Sequence, residues 1–93
     1  MIRHIVMWKF MENTEAQAAQ FLDGLAALNG VIPEIRRMEI RRAAAENGYD
    51  AVLVADFDSL QAVETYKNDP RHLAVAALCK SIRTDRAAID VEI

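Results

Sequence analysis

Between Ile2 and Phe10, apolar side chains fall on both sides of an extended strand. Ile2, His4, Val6, Trp8 and Phe10 share one face; Arg3, Ile5, Met7 and Lys9 share the other. A strand apolar on both faces is covered on both faces. The period then changes. Thr14 to Gln17 fits a capping box, and Ala18, Phe21, Leu22, Leu25 and Leu28 follow at helical spacing before Asn29-Gly30 stops the run. Val31-Ile32-Pro33 makes a short connector. Glu34 to Arg42 predicts a second strand whose charges, Arg36, Arg37, Glu39, Arg41 and Arg42, suit a protected sheet edge better than an anion site. After an alanine-rich loop, Tyr49 to Phe57 predicts a third strand. Tyr49, Ala51, Leu53, Ala55 and Phe57 lie on one face of it, Val52 and Val54 on the other.

Asp58-Ser59 caps the next helix, with Leu60, Val63 and Tyr66 on its inner stripe. Asp69 as N-cap and Pro70 in the first turn restart the helix and carry it to about Ile82, with Leu73, Ala76, Ala77 and Ile82 among its apolar positions. Asp85 to Ile93 closes the chain as a strand, with Ala87, Ile89 and Val91 expected inward and Arg86, Asp90 and Glu92 outward. The order β-α-β-β-α-β, its second helix broken in two, predicts one ferredoxin-like α+β domain over residues 1–93. Such a sheet carries helices on one face only. Ile5, Met7, Val52 and Val54 on the other face need a cover, and a second copy of the sheet supplies it: a homodimer with facing sheets, an α/β barrel.

Composition sharpens this picture. An apolar share of 53% is high for 93 residues and agrees with a partner-covered surface. A net charge of −3 argues against nucleic acid as a partner. No apolar run is long enough to span a membrane. The N-terminal segment, interrupted by Arg3, His4 and Lys9, reads as a strand and not a signal peptide, so a cytoplasmic location is expected. Cys79, alone in the chain and seven residues past His72, reads as core packing. Gly24, Gly30 and Gly48 are scattered and form no phosphate-cradling loop. Two histidines without a carboxylate at ligand spacing make a poor metal site, so no metal or organic cofactor is expected.

The candidate chemistry lies at the helix break. His72, in the first turn of a helix, is disfavoured as an imidazolium and can act as a general base on a proton alpha to a carbonyl. The Tyr66 hydroxyl can donate to that carbonyl and steady the enolate. Each has a structural alternative: His72 as a hydrogen-bonded lock on the junction, Tyr66 as a core residue with its hydroxyl at the rim. His4 is either a satisfied core histidine or a substrate-binding partner, with Trp8 and Phe57 as further pocket walls.

Taken together, His4-Ile5-Val6-Met7-Trp8-Lys9-Phe10, Tyr49-Asp50-Ala51-Val52-Leu53, Asp56-Phe57, Tyr66…Asp69-Pro70-Arg71-His72 and Arg86-Ala87-Ala88-Ile89-Asp90 resemble the stress-responsive A/B-barrel (dimeric α/β-barrel) family over nearly the whole chain. The family includes a plant polyketide cyclase that closes a linear poly-β-ketone chain by aldol condensation without a cofactor. By motif, the essential tyrosine and histidine of that enzyme fall on Tyr66 and His72, and a first-strand histidine falls on His4. The resemblance implies a small apolar or aromatic carbonyl compound bound between sheet and helices, and a cofactor-free cyclase or lyase reaction. The small run Ala74-Val75-Ala76-Ala77 gives no match to a long alkyl tunnel, so substrate identity does not carry over. Two alternatives stand beside this: a cofactor-independent monooxygenase on the same barrel, and a non-enzymatic dimeric binding or stability module. An open pocket shared by Tyr66 and His72 favours chemistry; a filled interior favours the module.

Overall fold

The computed structural model describes residues 1–46 and 48–93. Strands β1 (Ile2–Phe10), β2 (Arg37–Arg42), β3 (Ala51–Phe57) and β4 (Arg83–Glu92) form one antiparallel sheet in the order β2-β3-β1-β4. Helices α1 (Glu15–Ala26), α2 (Leu60–Asn68) and α3 (Pro70–Ile82) lie on one face. Among the described residues no helix is long and apolar enough to cross a membrane.

The register separates the two faces. Residues paired directly across an antiparallel ladder point to the same side. His4 pairs with Ala55 and Asp90, Val6 with Leu53 and Ala88, Trp8 with Ala51 and Arg86, and these share the helix side. The buried core is here: Val6, Trp8, Leu53, Ala55 and Phe57 from the sheet, and Phe21, Leu22, Leu25, Val63, Tyr66, Cys79 and Ile82 from the helices. α1 meets α3 closely at Gly24, where a Cβ would stand 3.3 Å from Val75 Cγ1. The helix-free face carries Ile5, Met7, Val52, Val54, Ala87, Ile89 and Val91, together with a bidentate Arg3–Asp56 pair at 2.8 and 3.0 Å.

Several local expectations change. Thr14 does not close a capping box: its hydroxyl donates to the Met11 carbonyl at 2.6 Å, and no side-chain cap bond forms. β2 starts at Arg37, because Glu34 to Arg36 still belong to the connector, although Arg36 N–H already reaches the Asp56 carbonyl at 2.9 Å. β3 starts at Ala51, two residues after Tyr49. Leu60 is 59% exposed, since the buried stripe of α2 centres on Val63 and Tyr66 and leaves the first helical residue at its margin. Leu73 is likewise exposed. The largest correction is the parity of β4. Ala87, Ile89 and Val91 lie on the helix-free face, Ile89 58% exposed, whereas Arg86 and Asp90 lie on the helix side. Ile5 pairs with Ile89 and His4 with Asp90, and that register fixes every side chain of the strand.

Candidate functional site

The junction between α2 and α3 is built by Asp69, whose extended backbone ends one helix and caps the next. Its carboxylate accepts the Arg71 N–H at 2.8 Å, and Pro70 occupies the first helical position, where no N–H is needed. The Arg71 guanidinium grips the same carboxylate at 2.8 Å and donates to the Val31 carbonyl, tying the junction to the connector after α1. This guanidinium bond, with the Arg71 N–H, holds the Asp69 carboxyl down at about 2. Ser59 caps α2 as expected, accepting from Ala62 N–H at 3.1 Å.

With the junction fixed, His72 Nδ1 lies 3.0 Å from the Lys67 carbonyl. A carbonyl only accepts, so Nδ1 carries the proton and donates, leaving Nε2 as the basic nitrogen of the neutral ring. Burial pushes the His72 pKa down, the Lys67 carbonyl opposing it. On β1, His4 is 3% exposed, and its Nδ1 stands 2.6 Å from the Asp90 carboxylate on the neighbouring strand. Burial lowers the His4 pKa as well, against the opposing hydrogen bond from Asp90. The neutral tautomer that satisfies Asp90 again puts the proton on Nδ1 and the lone pair on Nε2.

Tyr66 lies between the two histidines. Its ring centroid is 4.4 Å from that of His72 and 6.3 Å from that of His4. Phe57, 0% exposed, backs both, at 5.1 Å from Tyr66 and 6.2 Å from His4. Burial drives the Tyr66 pKa far above its ordinary value, so the phenol stays protonated and can donate. Tyr66 is 1% exposed, and among the described residues its hydroxyl has no hydrogen-bond partner. None of the described side-chain nitrogens or oxygens is both sealed from solvent and unpaired. The little of Tyr66 that meets solvent is therefore its hydroxyl.

Four expected site residues, His4, Phe57, Tyr66 and His72, thus converge. Trp8 does not join them: it packs edge-on against Phe21 at 5.1 Å, farther along β1. Asp90 was missing from the sequence-based set, because the expected parity of β4 turned it outward. An acidic residue between Ile89 and Val91 was the available signal. Surface clefts of about 410, 660 and 250 Å³ lie elsewhere, and none is lined by His4, Tyr66 or His72. Among the described residues no three His, Cys, Asp or Glu side chains gather as a metal-binding group. Cys79 is buried, and burial pushes its thiol pKa up.

A β2-β3-β1-β4 antiparallel sheet with its helices on one side defines a ferredoxin-like α+β protein, here with a tyrosine and two neutral histidines at one end of the core. The chain belongs to the Stress responsive A/B Barrel Domain family, whose model matches residues 2–93. It is 24% identical over 85 residues to olivetolic acid cyclase of Cannabis sativa, covering 86% of this chain and 84% of that one. Its fold matches a dimeric ferredoxin-like protein of unknown function from Bacteroides fragilis, with TM-score 0.91 and 24% identity over 99% of this chain and 95% of the other. It also matches the hydroxynitrile lyase of Passiflora edulis, with TM-score 0.87 and 16% identity over 99% and 92%. The expected family and the ferredoxin-like fold are thereby established.

Proposed function

We propose that this protein is a homodimer that binds a small carbonyl compound beside Tyr66 and moves a proton alpha to the carbonyl, as a cofactor-free cyclase or lyase. One observation carries this reading: two neutral imidazoles are each fixed through Nδ1–H, by the Lys67 carbonyl and the Asp90 carboxylate, beside a phenol hydroxyl that has no partner among the described residues. His72 Nε2 takes the alpha proton, the C–H electron pair becomes the carbon–carbon double bond of the enolate as the carbonyl π pair moves onto oxygen, and the Tyr66 hydroxyl donates to that oxygen. Protonated His72 returns the proton, and His4, oriented by Asp90 with its lone pair on Nε2, is a second acceptor that can relay it. Phe57 is the apolar wall behind them, and Trp8 closes the far end of the core. The names of two similar proteins, a cyclase and a lyase, agree with this class of chemistry.

The dimer reading rests on the helix-free face and on the dimeric description of the Bacteroides neighbour. A standard interface buries about 1,600 Å². Sedimentation at micromolar concentration should show a dimer that Val54→Asp converts to monomer; a monomeric wild type contradicts it.

A second reading has its own observation. Phe57 and the Tyr66 ring are buried, and neither lines the three clefts described above, as in a non-enzymatic binding or stability module. Deuterium exchange at the central carbon of a β-diketone, followed by proton NMR, separates the two. The proposal expects exchange above the buffer rate, falling about 100-fold or more in His72→Gln with the melting temperature nearly unchanged. No exchange by wild type, together with a lowered melting temperature in His72→Gln, supports the module.

A further inference from the structure

The helix layer stops short of β4. Its helix-side residues Arg86, Ala88 and Asp90 are all exposed, while their β1 partners Trp8, Val6 and His4 are buried. β4 is therefore an uncovered ledge beside the histidine–tyrosine cluster, with Asp90 at one end, Arg86 at the other, and the small Ala88 between them. Asp90 is engaged by His4. Arg86 is not engaged: its backbone N–H reaches Asp85 at 2.8 Å, and among the described residues its guanidinium takes part in no ion pair. Arg3, Arg36, Arg37 and Arg41 have carboxylate partners, whereas among the described residues Arg42 on β2 and Arg83 on β4, like Arg86, take part in no ion pair. The nearby Lys67 is held only loosely, 3.6 Å from Glu64.

We infer that the compound bound at this site carries a carboxylate as well as a carbonyl, and that Arg86 is the specificity-determining residue that receives the carboxylate. This inference rests on the carbonyl-site reading above and names its substrate class. A guanidinium pairs with a carboxylate through two parallel N–H bonds, a geometry that a neutral ester cannot match. The ledge sets the orientation. Arg86 and Asp90 are four residue steps apart, about 13 Å along the strand. The acid end lies at Arg86 and the reacting carbonyl at Tyr66, with the connecting atoms over Ala88. The carboxylate is thus kept away from Asp90, which would repel it. The Arg86 charge reaches the cluster: beside the larger effect of burial, it acts on His4, Tyr66 and His72 alike, favouring the less positively charged form of each. The same field favours an enolate at Tyr66 over its neutral parent.

The test is a matched pair of ligands, a β-diketone with a terminal carboxylate and its methyl ester, measured by calorimetric titration on wild type and Arg86→Gln. Wild type should bind the acid roughly tenfold or more tightly than the ester. Arg86→Gln should reduce that ratio to near one. Added salt should weaken the acid and not the ester on wild type, a readout that needs no variant. Equal binding of acid and ester by wild type, or a preference that survives Arg86→Gln, overturns the inference while leaving the carbonyl site in place. Failure of both ligands to bind removes the carbonyl-site reading, and this inference with it.

Discussion

Two aromatic clusters sit on the same sheet face and serve different ends. At one end Trp8, Phe21 and Phe10 meet edge-to-face, with centroids 5.1 and 6.1 Å apart, as ordinary packing. At the other, His4, Phe57, Tyr66 and His72 are packed nearly as tightly, yet three of the four rings carry polar atoms. Hydrocarbon would fill this second space at lower cost, because burying an imidazole or phenol is unfavourable unless it is paired. Pairing here is only half complete. Each histidine has a partner at Nδ1, and the Tyr66 hydroxyl has none among the described residues. The two ends thus teach how a site differs from a core within one fold: both pack their rings closely, but only one keeps donors and acceptors unspent.

The contrast can be broken most forcefully at the packing end. Trp8→Ala removes a buried indole and its contact with Phe21, and should lower unfolding free energy by about 3–5 kcal/mol in denaturant titration. A cost near zero would mean that this end is not core.

The next effect is a pH dependence at the other end. Burial holds both histidines below their ordinary 6.5. As pH falls through 6.5 the unfolded chain takes up protons before the folded one does. Their contribution is therefore fully present above 6.5 and is lost as pH falls below it, until the folded pKa values are passed. Thermal melts at pH 7.5 and 5.5 should show wild type losing more stability than a His4→Asn, His72→Gln double variant. Equal losses would place the sensitivity elsewhere.

The smallest effect is the most discriminating. Tyr66→Phe deletes a hydroxyl without a partner among the described residues, so its stability should lie within about 1 kcal/mol of wild type, or above it. The same variant should lose most of the β-diketone exchange. A large loss of stability would reveal a structural hydrogen bond and return Tyr66 to the core.

Much of the fold was legible because local signals agreed with the global pattern. Pro70 after Asp69 set the start of α3, Ser59 capped α2, and the arginines of β2 marked a sheet edge. The convergence of His4, Tyr66 and His72 came from the family motif together with the face shared by His4, Val6 and Trp8. Asp90 was not legible. In β4 the apolar Ala87, Ile89 and Val91 share one parity and the charged Arg86, Asp90 and Glu92 the other, a pattern that aims the apolar set at the core; only the register against β1 shows that set to lie on the helix-free face. The same slip hid Arg86. Leu60 was misplaced for a related reason, since a three-residue stripe leaves one margin undefined until neighbouring elements close over it.

Nitrogen NMR of protein carrying ¹⁵N-labelled histidine tests the central claim most directly. At pH 7, both rings should be neutral, with Nδ1 protonated and Nε2 bearing the lone pair, and both should titrate below 6.5. A proton on Nε2 of either ring, or a cationic ring at pH 7, would contradict the account, because the basic nitrogen would then be unable to accept a proton from a bound carbonyl compound.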